Sequence, residues 1–241
     1  MLNRLRRRWQ VRSWPDRLRR ALFPPVCLIC GQDGRAGIDC CAGCEPELPL
    51  LAAQCARCGI EMDSPVELCG RCAMALPAFH NTWPGFAYSG PIERLIQRFK
   101  FHGDLAAGRL LADLLARRLI ELEAPRPQLI VPVPLHARRQ LRRGFNQSAL
   151  ISRDLSRWFG HLPWLEALRR SRPTVAQSEL PAERRSGNVR GAFQLHRLPP
   201  GCRHVALVDD VMTTGSTLNE CARVLLQAGV RRVDVWVVAR A

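Results

Sequence analysis

From residue 78 onward, apolar positions alternate between short continuous runs and helical stripes. Val205–Val208 is a compact apolar run, as expected of a strand buried on both faces of a parallel sheet. Behind it, Leu218, Cys221, Ala222, Leu225 and Leu226 recur at helical spacing. Leu129–Val133 is a second strand candidate, and Pro132 and Pro134 predict that it stops there. Residues 230–240 (VRRVDVWVVAR) form a terminal strand, reached from the 216–228 helix through Gly229. Ahead of these, a strand-like piece runs through Tyr88. Ile92, Leu95, Ile96 and Phe99 then mark one helix, and Leu105, Leu110, Leu111, Leu114, Leu115 and Leu119 mark another. A further helix is predicted from about Asn146 to Phe159, and a short strand near Phe193. Strands alternating with helices predict an α/β fold with a parallel sheet.

Residues 23–76 follow neither pattern. Nine of the eleven cysteines lie between 27 and 72. Cys27, Cys30, Cys41 and Cys44 give C-x2-C-x10-C-x2-C; Cys55, Cys58, Cys69 and Cys72 repeat it 28 residues later. Two CxxC knuckles per unit supply the four thiolates of a tetrahedral zinc site. Gly31, Gly59 and Gly70 follow knuckle cysteines, where the chain must turn sharply. Disulfides lack a supporting secretion signal, and redox CxxC pairs seldom come as four even repeats. One Zn2+ per unit, structural because four thiolates leave no open position, is the expectation. A cross-brace pairing Cys27/Cys30 with Cys55/Cys58 stays open, as does Cys40 replacing Cys41. Cys202 and Cys221 read as ordinary core or strand-flanking residues.

Charge adds a partner class. The 241 residues carry a net charge of +15, and all 36 basic residues but Lys100 are arginine. Arginine forks suit phosphate, although a solvated basic surface reads the same way. Residues 1–22 hold eight arginines and one acid, with Val11, Trp14, Leu18 and Leu22 at helical spacing. They read as a short amphipathic segment, with membrane-surface or nucleic-acid contact as the sharper alternative. No run reaches transmembrane length, and no continuous apolar core supports a secretory signal.

Candidate chemistry sits where the strand 205–208 ends. Asp209 and Asp210 come first, then Thr213, Thr214, Gly215, Ser216 and Thr217, then the helix. A helix N-terminus with hydroxyl donors and a glycine can bind phosphate. The carboxylates can accept hydrogen bonds from vicinal ribose hydroxyls or hold Mg2+ through water. A plain N-cap at Thr214 or Ser216 is the simpler reading, but it leaves the acidic pair unexplained. After the strand 129–133, a loop carries His136, Arg138, Arg139, Arg142 and Arg143. In open α/β sheets such loops bind ligands, and these arginines suit pyrophosphate. Residues 169–195 look like a long arginine-rich loop closing over a site.

Residues 204–226 closely resemble the phosphoribosyl-pyrophosphate (PRPP) motif of type I phosphoribosyltransferases. The whole layout resembles ComF-type proteins: a double CxxC ribbon, then YSGPIERLIQRFKFHGD, VPVPLHARRQLRRGFNQS, RPTVAQSELPAERRSGNVRGAF and VALVDDVMTTGST. The resemblance implies a type I phosphoribosyltransferase fold over 78–241, a double zinc ribbon over 23–76 and a basic N-terminal segment over 1–22. It implies PRPP and Mg2+ as ligands, with Asp209 and Asp210 on the ribose and Thr213–Thr217 on the 5′-phosphate. Arg138, Arg139 and Lys100 are candidate pyrophosphate contacts. It further implies a cytoplasmic protein of DNA uptake, with single-stranded DNA and other competence proteins as candidate partners. Two functions remain open on this reading: transfer of phosphoribosyl to a nitrogen acceptor, and non-catalytic PRPP sensing by a DNA-binding protein.

Overall fold

The computed structural model describes residues 24–35, 37–64, 67–136, 140–141, 143–171 and 191–241. The basic segment 1–22, Arg138, Arg139, Arg142 and most of the long loop lie outside them. Four parallel strands make the main sheet: β1 (Thr82–Ala87), β2 (Leu129–Pro132), β5 (His204–Met212) and β6 (Arg232–Arg240). Their order is β1-β6-β5-β2, so the last strand lies in the middle. Leu207 faces both Val131 and Val235 in register. The continuous apolar runs follow from this: β5 and β6 are covered on both faces. Pro84 and Pro132 fall on the outer named strands, where a missing donor is tolerated. A separate antiparallel pair, β3 (Leu168–Arg170) and β4 (Phe193–Leu195), flanks the undescribed loop.

Alternate side chains divide the core. Ala206, Val208, Trp236 and Val238 join the helices α2 (Gly90–His102), α3 (Leu105–Glu121) and α4 (Gln147–Trp158) in one apolar cluster. Val205, Leu207, Val233, Val235 and Val237 join α5 (Ser216–Gln227) in the other. The helix ends obey local chemistry. Asp104 accepts from the Ala107 N–H at 3.0 Å, Asn146 accepts from Ser148 N–H at 3.1 Å, and Gly103 closes α2 in the left-handed region. Among the described residues no helix is long and apolar enough to cross a membrane.

The two cysteine units dock on opposite sides. Ile38, Cys40 and Leu48 of the first join the α2–α3–α4 cluster, and Arg98 of α2 donates to the Leu28 carbonyl at 2.7 Å. Cys55, Cys58, Cys69 and Cys72 of the second join the α5 cluster. There the Ala56 and Arg57 carbonyls accept from Thr82 of β1, at 3.1 and 2.8 Å. A one-turn helix, α1 (Gly70–Met74), closes the second unit.

Candidate functional site

Both metal sites are complete. Each unit brings its own four sulfurs within 4.8 Å of one another. The arrangement is therefore one cluster per unit rather than a cross-brace. Cys30 and Cys41 sulfurs lie 3.6 Å apart, as do Cys58 and Cys69. A tetrahedron with Zn–S of about 2.3 Å has sulfur–sulfur edges of about 3.8 Å, so these clusters fit Zn2+. Backbone N–H groups of Cys44 and Cys69 donate to the Cys41 and Cys55 sulfurs at 3.3 and 3.2 Å. Burial pushes the Cys27 and Cys55 thiols up, but converging backbone N–H donors outweigh it and hold them at about 6 and about 7.

Gly31 and Gly59 adopt positive φ of 81° and 65°, as the knuckles require. Gly70 instead opens helix α1 and needs no such freedom. Cys40 stands outside the cluster. It is buried in the core, and burial with the neighbouring Cys27 and Glu45 charges pushes its thiol up to about 12. Cys221 is fully buried on α5, and Cys202 is half-buried.

The acidic pair lies inside strand β5, which runs on past the expected end at Val208 through Val211 and Met212, both paired with β6. Asp209 Oδ1 accepts from the Ser148 hydroxyl at 2.8 Å and from the Asp210 N–H at 2.9 Å. Asp210 Oδ1 accepts from the Val211 N–H at 2.6 Å and pairs with Lys100 Nζ at 2.9 Å. Burial, then the Asp210 charge, pushes Asp209 up to about 7; Lys100 and Ser148 pull the other way. Burial disfavours the charged lysine, but both aspartates outweigh it and raise Lys100 above its ordinary value.

The loop after the pair turns on Gly215, whose φ of 77° is strained for any other residue and which caps α5. The Thr214 and Ser216 hydroxyls lie 2.9 Å apart at the helix start, where the Ser216 N–H donates to Thr214 Oγ1 at 3.4 Å. Because the strands are parallel, the loop after β2 leaves the same sheet edge. Val133 N–H donates to the Val208 carbonyl at 2.9 Å, and Asn146 Nδ2 holds the Val133 carbonyl at 3.1 Å. A cavity of about 500 Å3 opens there, lined by Pro134, Gln140 and Asn146, by Arg169 and Arg170 of β3 and by Arg197 just beyond β4. Another buried carboxylate, Asp234, sits at the opposite end of the strands, bonded to His204 and Arg232.

The structure thus gathers Lys100, Asp209 and Asp210 at one point and Thr213–Thr217 beside them. Arg138 and Arg139 lie outside the described residues. Sequence reasoning missed Ser148 as a partner of Asp209, and Arg197, just beyond β4, in the cavity lining; Arg169 and Arg170 belong to the stretch expected to close over a site. A signal for Ser148 exists: Asn146, Gln147, Ser148 and Ser152 are polar yet buried at the start of α4. Buried polar groups need partners.

A model of the double zinc ribbon domain matches residues 18–73. Competence protein F of Haemophilus influenzae is 39% identical over 211 residues, 83% of this chain and 90% of that protein. The DNA utilization protein YhgH of Escherichia coli K12 is 38% identical over 90% of this chain and 97% of its own length. ComFC of Bacillus subtilis is 27% identical over 60% of this chain and 57% of its own length. Among solved structures, the allosteric regulatory enzyme of purine biosynthesis aligns at 21% identity with a TM-score of 0.36, over 55% of this chain and 26% of that one. Identity at this level, spread over nearly the whole length of both partners, makes the chain a member of the ComF (competence protein F) family.

Proposed function

We propose that the protein binds PRPP at the edge where β5 ends and that it serves DNA uptake or utilization. The observation that carries the reading is the junction of Asp209–Asp210 with the Thr213–Thr217 loop on the N-terminus of α5. In this reading the 5′-phosphate sits on the loop, with the helix N–H groups and hydroxyls as donors. The vicinal ribose hydroxyls donate to Asp209 and Asp210. Lys100 supplies positive charge beside Asp210, and Arg138 and Arg139 take the pyrophosphate. Mg2+, held through water by the two carboxylates, would neutralise charge on the departing pyrophosphate.

Transfer would then join the ribose C1 to a nitrogen nucleophile as the bond to pyrophosphate breaks. Its transition state has oxocarbenium character, so the chain's part is positioning and charge stabilisation. The names of the relatives support the DNA role, and the charge of +15 suits a nucleic-acid partner. Pyrophosphate release is the test of transfer, measured with PRPP, Mg2+ and a panel of bases and amines. Release that depends on one acceptor class establishes a transferase. PRPP binding without release from any acceptor favours the sensor.

A further inference from the structure

Arg240 is the last residue of β6, beside Met212 in the sheet, and only 4% of it is exposed. Its guanidinium donates from Nε to the Cys58 carbonyl at 2.9 Å and from Nη1 to the Met212 carbonyl at 3.0 Å. Cys58 is a knuckle cysteine of the second unit, and Met212 is the residue immediately before the Thr213–Thr217 loop. One buried side chain therefore spans a metal ligand and the root of the phosphate loop.

Two further links run in parallel. The Met212 side chain is buried in the same apolar cluster as Cys55, Cys58, Cys69 and Cys72. The Ala78 N–H, just past the second unit, donates to Asn219 Oδ1 in the first turns of α5 at 2.6 Å. Charge supports the arrangement. A Zn2+ with four thiolates is a net anion, and a buried guanidinium needs such a counter-charge.

We propose that Arg240 couples the second zinc site to the phosphate loop, so that metal at Cys55/Cys58/Cys69/Cys72 and PRPP at Thr213–Thr217 stabilise one another. This rests on the reading that the loop holds the 5′-phosphate. The metal fixes the knuckle whose carbonyl aims Arg240, and Arg240 fixes the strand end that launches the loop. Coupling between two sites is reciprocal, so PRPP must hold the metal as firmly as the metal holds PRPP. Among the described residues the first unit has no hydrogen bond to Met212 or to the Thr213–Thr217 loop; its bonds go to α2 and α3 through Arg98 and Arg117 and to the end of β1, where Ala87 N–H donates to the Pro49 carbonyl at 2.8 Å. It is an internal control in the same molecule.

The test challenges the zinc-loaded full chain with a pyridyl chelator that leaves Mg2+ bound, in the presence of N-ethylmaleimide. Peptide mass spectrometry reads the alkylation rate of each cysteine. PRPP with Mg2+ is expected to slow Cys55, Cys58, Cys69 and Cys72 about tenfold, within the usual range of coupling, and to leave Cys27, Cys30, Cys41 and Cys44 unchanged. In Arg240→Met the selective protection should vanish while both metals are still loaded. Asn219→Ala, which leaves the guanidinium in place, should keep most of it. Equal rates with and without PRPP, in a protein for which calorimetry records PRPP binding, overturn the coupling and leave the phosphate reading standing. Absence of PRPP binding to the zinc-loaded wild type overturns both.

Discussion

The two cysteine units have the same spacing and different surroundings. The first is partly open: Cys30 is exposed and Cys41 and Cys44 are half-exposed, while all four cysteines of the second are buried. The first reaches the domain through Arg98 on the Leu28 carbonyl, Arg117 on Glu45, the Ala87 N–H on the Pro49 carbonyl, and the buried Ile38, Cys40 and Leu48. The second is held by the Thr82 N–H and hydroxyl of β1 on the Ala56 and Arg57 carbonyls, by Arg57 on the His80 carbonyl, and by the buried Arg240 on the Cys58 carbonyl. Identical ligand sets therefore do different structural work, and the difference lies in what each knuckle's carbonyls and flanks touch.

Removing one ligand from each unit should separate the two most strongly. Structural zinc contributes folding energy outright, about 10–16 kcal/mol in isolated finger peptides. Cys69→Ser should lose one zinc, lower the Tm of the whole domain and weaken PRPP binding about tenfold, the reciprocal of the metal protection. Cys41→Ser should lose the other zinc, loosen residues 27–50 and leave PRPP affinity within about threefold. Elemental analysis, calorimetric melting and PRPP titration read all three effects. Equal damage from both variants contradicts the asymmetry.

A smaller effect sharpens it from the other side, because the helix under the first unit also carries Lys100. Breaking a mostly buried ion pair leaves an uncompensated charge and costs about 3 kcal/mol. Lys100→Met should lower stability by that amount at pH 8. Asp209 has a folded pKa of about 7, raised above its unfolded value of about 4. The folded state thus holds a proton that the unfolded state has lost, and wild-type stability falls as pH rises through about 4 to 7. The Lys100→Met penalty should therefore shrink at pH 5, where Asp209 is protonated and one negative charge beside Lys100 is gone. Urea unfolding at the two pH values measures it; a pH-independent penalty shows that Lys100 matters for packing and not for charge.

Much of this was legible in the chain. The apolar runs at 129–133, 205–208 and 230–240 became parallel strands, and the helical stripes became α2, α3, α4 and α5, with ends within a few residues. The cysteine spacing predicted two four-sulfur clusters, because ligands close in sequence must be close in space. What stayed hidden depends on contacts distant in sequence. No local pattern pairs Lys100 with Asp210, or Ser148 with Asp209. Nor does any announce that Arg240 reaches Cys58, 182 positions away. Spacing left open which cysteines share a metal, and the three-dimensional path of the knuckles decides it in favour of one cluster per unit. Gly70 shows the opposite failure, a glycine in a turn-like position that the chain uses to start a helix.

The central claim is that Asp209, Asp210 and the Thr213–Thr217 loop form one PRPP site. Calorimetric titration of the wild type and of Asp209→Asn/Asp210→Asn with PRPP and Mg2+ tests it most directly, with zinc content and far-UV circular dichroism verifying the fold. The account predicts saturable binding to the wild type and a loss of at least a hundredfold in the folded double variant, about 2.7 kcal/mol by the relation of affinity to free energy. A folded double variant that binds PRPP as tightly as the wild type would contradict it.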